Sequence, residues 1–81
     1  MKVLYKWTKK HNPKISPPVN YRYVIHDDEG GKDYTIKCIT LQYKKGGYWA
    51  PQTDYSGYTE VLNLLRLIEH ATGKKIKGSY T

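Results

Sequence analysis

Two kinds of hydrophobic spacing divide this chain. Val3, Tyr5 and Trp7 fall on one side of a two-residue repeat with Lys2, Lys6 and Thr8 on the other, which is the signature of a half-buried strand and predicts one over 2–8. Tyr21, Tyr23 and Ile25 alternate in the same way with Arg22, Val24 and His26 and predict a second. The run 34–43 is rich in β-branched and aromatic residues and predicts a third. Inside it the apolar phase moves from Ile36 and Cys38 to Ile39 and Leu41, which suits either a bulge or burial on both faces. A short fourth strand is expected at 48–50, stopped by Pro51.

From Tyr58 to Thr72 the period changes. Val61, Leu62, Leu64, Leu65, Leu67, Ile68 and Ala71 cover more than half of a helix circumference at about 100° per residue, so this helix is expected to be the core element. Gly73 stands where a left-handed C′ residue belongs, and Ser56 or Thr59 is positioned to cap the start. Asn63, Arg66 and His70 form a polar stripe at spacings of three and four, as a water-facing surface does.

The segments between these elements read as turns and loops. Asp27 to Asp33 contains Gly30 and Gly31, and Lys44-Lys45-Gly46-Gly47 is a second glycine-containing turn, so antiparallel connections follow. Pro13, Pro17 and Pro18 make 9–20 a stiff, basic loop. The tail 74–81 either adds a short edge strand or stays mobile. The expected fold is α+β: a small antiparallel sheet of three to four strands packed on one C-terminal helix, in the order β-β-β-β-α, forming a single domain over 1–81.

Composition sharpens this picture. A chain of 81 residues supports only a thin, two-layer core. Its 9 Tyr and 2 Trp, with no Phe, supply large rings whose polar tips suit half-buried positions. The one cysteine, Cys38, excludes an intrachain disulfide and reads as a small core residue in a reducing, cytoplasmic setting. Met1 to Lys10 lacks the continuous apolar run of a signal peptide or membrane span.

The net charge of +7 points to acidic partners. Basic residues crowd 1–26 and 74–77, whereas four of the 7 acidic residues lie in 27–33. Convergence of strand one, the proline loop and the tail would gather the basic residues into one phosphate-binding surface. In the sharpest local feature, Lys44 and Lys45 stand at a turn tip flanked by Tyr43, Tyr48 and Trp49, where lysines can meet phosphates and a ring can stack on a base. The alternative for this turn is an ordinary lysine-tipped hairpin whose Tyr48 and Trp49 are core. Tyr5, Trp7, Tyr21 and Tyr23 alternate with Lys6 and Arg22, which suits a base-stacking face, but burial beneath the helix is the expected fate of such large rings.

Catalytic and metal chemistry find little support. His26, Asp27, Asp28, Glu29 and Asp33 lack the alternating-ligand order of a calcium loop, and His11 and His70 are isolated. Gly73-Lys74-Lys75 lacks both the earlier glycine and the following Ser or Thr of a phosphate-binding loop. No catalytic residue, cofactor or metal is therefore expected.

The function expected is a non-enzymatic nucleic-acid-binding domain with little sequence preference, favouring single-stranded DNA or RNA. Lys6, Lys9, Lys10, Lys14, Arg22, Lys44, Lys45, Lys74, Lys75 and Lys77 are the candidates for phosphate contacts, with Tyr48 or Trp49 for stacking. With only two arginines the chain is poorly equipped for base reading. In general character, lysine- and tyrosine-rich with one helix and a small sheet, it is similar to small accessory proteins of phages and mobile elements. The alternative function is a phage-type inhibitor or adaptor that docks through exposed Tyr and Trp on an acidic surface of a larger host protein or nucleoprotein complex, since such rings are enriched at interface hot spots.

Overall fold

The computed structural model describes residues 1–10, 14, 17–25 and 36–76. Four strands, β1 (Lys2–Lys9), β2 (Val19–Ile25), β3 (Ile39–Lys45) and β4 (Tyr48–Tyr55), precede one helix, α1 (Tyr58–Thr72). The strands form one antiparallel sheet in the order β1-β2-β3-β4. This is the α+β arrangement that the two periods predict.

Residues paired across an antiparallel ladder share a face, so the register sorts the side chains. Tyr5, Tyr23 and Leu41 form one row, Trp7, Tyr21, Tyr43 and Ala50 the next, and Ile25 and Ile39 belong to the same face. The helix packs here. Ile25, Ile36, Ile39, Val61 and Leu65 make the core cluster, with Leu4, Tyr23, Leu64 and Ile76 against its margin. Burying side chains of this kind contributes roughly 1.5–3 kcal/mol each.

Local departures from simple alternation shape the sheet. The β1–β2 register shifts between Val3 and Tyr5, so Leu4 packs against the core although Val3 and Trp7 carry the sequence alternation. A bulge lets adjacent residues turn towards the same layer. In β3 the strand begins at Ile39, which places the apolar phase change at the strand's start, with Cys38 half-buried just before it rather than mid-strand.

The fourth strand corrects the expectation of a stop at Pro51. β4 runs on to Tyr55, and its register with β3 shifts between Leu41 and Gln42, leaving Gln52 as the extra residue. β4 is an edge strand, where a missing backbone N–H removes no ladder bond if it faces outward.

The ends of α1 divide in the same way. Gly73 takes φ 70° and its N–H donates to the Glu69 carbonyl at 2.8 Å, as a left-handed C-terminal stop requires. Neither Ser56 nor Thr59 caps the start: Gly57 is the N-cap, without a side-chain bond, and its carbonyl accepts from Val61 N–H at 2.8 Å. Residues 74–76 add no strand to the sheet. No helix among the described residues is long and apolar enough to cross a membrane.

Candidate nucleic-acid interface

The sheet face opposite the helix is built by the other half of each alternation. Lys6 pairs with Arg22, Arg22 with Gln42 and Gln42 with Pro51; Thr8 pairs with Asn20, and Lys44 with Trp49. Side-chain rungs cross this face from strand to strand. The Thr8 hydroxyl donates to Asn20 Oδ1 at 2.6 Å, Arg22 Nε donates to Gln42 Oε1 at 2.7 Å, and the Thr40 hydroxyl donates to Asp54 Oδ1 at 2.8 Å.

Trp49 lies at the cationic centre of this surface. The Arg22 guanidinium carbon is 4.3 Å from the ring centroid and Lys44 Nζ is 5.4 Å from it, both within cation–π range. Arg22 is thus held by its cation–π contact to the indole, by the hydrogen bond to Gln42 and by a longer contact of 3.9 Å from its Nη2 to Met1 Sδ. Lys6, Thr8, Asn20, Lys44 and Trp49 border a shallow cavity of about 320 Å³ together with Trp7 and Tyr21. The alternative of a buried Trp49 and Tyr48 is overturned, since Trp49 is half-buried and Tyr48 is 59% exposed.

The turn that carries this end of the sheet is a two-residue hairpin, Lys45 pairing with Tyr48. Gly46 takes φ 61°, so its first central position is the one that requires glycine. Nothing lies within 4 Å of a side chain built at Gly46 or Gly47. The backbone around the turn is correspondingly open.

The expected convergence of basic residues is only partial. Lys6, Arg22 and Lys44 come together with Trp49, whereas Lys9 and Lys45 belong, by register, to the phase of the other face. Lys10 follows the end of β1, and Lys14 is exposed in a turn. Lys74 and Lys75 lie elsewhere, bordering a cavity with Lys2 at the start of β1, roughly 20 Å along that strand from Thr8 at about 3.3 Å per residue. Lys77 lies outside the described residues, as does the cluster from His26 to Asp33.

Tyr5, Trp7, Tyr21 and Tyr23 occupy the helix-side face, but all four are half-buried rather than buried beneath the helix as expected. They form a continuous aromatic ladder. Tyr5 and Trp7 stack at 5.5 Å between centroids, Trp7 and Tyr21 at 5.4 Å, and Trp7 and Tyr23 meet at 4.9 Å with a 34° tilt. Tyr23 meets Tyr55 edge-on at 6.4 Å. Burial first and the neighbouring Tyr55 second raise the Tyr23 hydroxyl above its ordinary pKa.

Gln42, Thr8 and Asn20 are site residues that the sequence did not single out. Their signal was available in the register, because each is the residue placed beside a cation once the antiparallel pairs are drawn. Among the described residues no three His, Cys, Asp or Glu side chains group as a metal site. No family model matches the chain, and no match is found among curated proteins or solved structures.

Proposed function

We propose that the chain is a non-enzymatic binding module for single-stranded nucleic acid with little sequence preference, the strand running across the sheet face opposite α1. The observation that carries this reading is the group formed by Arg22, Trp49, Lys44 and Lys6. Lys6 and Lys44 supply point charges for phosphates beside the Arg22–Trp49 pair, which supplies the stacking platform. Bases stack on guanidinium planes as well as on aromatic rings. Because Arg22 is held by Gln42 before any ligand arrives, little ordering cost remains for binding.

The chemistry favours a single strand over a duplex. A base must be unpaired to lay its face on a side chain, and lysines read charge rather than base edges. Thr8 and Asn20, already bonded to each other beside the cations, add polar groups that suit sugar and phosphate oxygens.

Titration of a fluorescein-labelled fifteen-nucleotide oligothymidylate at increasing salt tests the proposal. Saturable binding whose log affinity falls linearly with log salt is expected, with weaker binding to the matched duplex. No saturable binding at low salt would reject it.

A further inference from the structure

The second surface lies on the opposite side of the molecule, along the seam between β1 and α1. β1 is the outermost strand, eight residues long, and none of the other described strands pairs with its outer edge. The other edge strand, β4, carries Pro51 and a register shift, both of which spoil it as a template for further pairing. β1 has no proline, and its register shift lies near one end, between Val3 and Tyr5. The Trp7-to-Lys9 end of the edge is regular.

Two cavities adjoin along this seam. One, of about 620 Å³, is bordered by Lys2, Val3, Leu4, Thr72, Lys74, Lys75 and Ile76. The other, of about 300 Å³, is bordered by Tyr5, Trp7, Tyr23, Leu67, Ile68 and Ala71. Leu4 and Tyr5 are neighbours in β1, as Ala71 and Thr72 are in α1, so the two cavities occupy successive positions along the seam. The smaller cavity is lined by apolar and aromatic side chains alone, and the lysines border the larger one. Leu67, 62% exposed although it belongs to the apolar set of the helix, stands over this groove between the water-facing Arg66 and His70.

We propose that the β1–α1 groove binds an extended, acidic peptide segment of a partner protein, which adds to the sheet as a fifth strand antiparallel or parallel to β1. Backbone groups of β1 supply the ladder, and alternate apolar side chains of the peptide enter the groove beside Tyr5, Trp7 and Leu67. The peptide's carboxylates, on the face away from the groove, meet Lys6 along the strand, and a glutamate past the register shift at Val3 and Tyr5 meets Lys2, Lys74 and Lys75. Charge decides against a second copy of this chain as occupant. An antiparallel β1–β1 pair centred on Lys6 sets that lysine against itself, and like charges directly opposite destabilise a ladder.

The probe is an acetylated, amidated octapeptide alternating glutamate with valine, matched to the eight residues of β1 and titrated into the full chain by NMR. Binding is expected to shift and protect β1 amides while leaving those of β4 unchanged. Two further versions carry N-methyl groups on alternate amides, one set on each edge. One version should lose at least about tenfold in affinity, because its methylated edge can no longer donate to β1, while the other should bind like the parent. Leu67→Ala, at an exposed position that leaves the fold intact, should weaken the parent peptide roughly fivefold and leave oligothymidylate binding unchanged. Equal binding of both methylated versions would reduce the interaction to charge attraction and overturn the proposal. So would a chain that sediments as a dimer with its β1 amides already protected.

Discussion

The Arg22 guanidinium lies 4.3 Å from the Trp49 ring while its Nε donates to Gln42 at 2.7 Å, so one side chain ties three strands into a rigid, cationic patch. If this patch is where nucleic acid stacks, Trp49→Ala should cost about 1–3 kcal/mol of oligothymidylate affinity. Far-ultraviolet circular dichroism of the variant should match that of the parent, because Trp49 lies outside the core cluster. Fluorescence anisotropy measures the loss.

Stability rests on the opposite face. Leu65 is fully buried against Ile25, Ile39 and Val61, and Leu65→Ala should cost about 2–5 kcal/mol in urea unfolding. Leu67→Ala, two positions away but 62% exposed, should change stability by no more than about 0.5 kcal/mol. A similar cost for both would contradict the burial of the helix as described.

The helix stop supplies an independent check. Gly73 has φ 70°, and nothing lies within 4 Å of a Cβ built there. Gly73→Ala should therefore destabilise by about 1 kcal/mol through backbone conformation alone, without a steric clash. Thermal unfolding should show it as a modest drop in Tm with the oligonucleotide affinity unchanged.

Alkali should act through Tyr23. Its folded-state pKa is raised above the ordinary tyrosine value by burial and then by Tyr55, so the folded chain holds the proton more tightly than the unfolded one. The stability that this difference contributes is fully present below about pH 10 and is lost as pH rises through the folded-state value. Tyr23→Phe removes the titration. The stability difference between parent and variant should shift in favour of the variant above about pH 10, as measured by urea unfolding from pH 8 to 11.

The elements with strong, local signals were legible in the sequence. The helix spans Tyr58–Thr72 and ends at Gly73 as its period and glycine imply, and the glycine turn at 46–47 joins two antiparallel strands. What alternation could not reveal was which residue breaks it. The shift beside Leu4 and the continuation of β4 through Pro51 both depend on pairing with a neighbour, and Pro51 is tolerated because β4 is an edge strand. The candidate site was legible in part for the same reason. Lys44 and Trp49 are near neighbours across a hairpin, but their meeting with Arg22 and Lys6 needed the strand order. Lys74 and Lys75 are drawn away to the start of β1 by the path of α1, which no linear charge count records.

The proposed function requires that three cations around Trp49, rather than total charge, hold the nucleic acid. Its most direct test compares two triple variants of equal charge, Lys6, Arg22 and Lys44 to Gln against Lys2, Lys74 and Lys75 to Gln, in oligothymidylate titrations from 50 to about 300 mM salt. The first should lose about 1.4 units of log–log salt slope, at about 0.7 for each of the phosphate contacts of Lys6 and Lys44, while the second keeps the parent slope. Equal losses in both variants would contradict a localised interface.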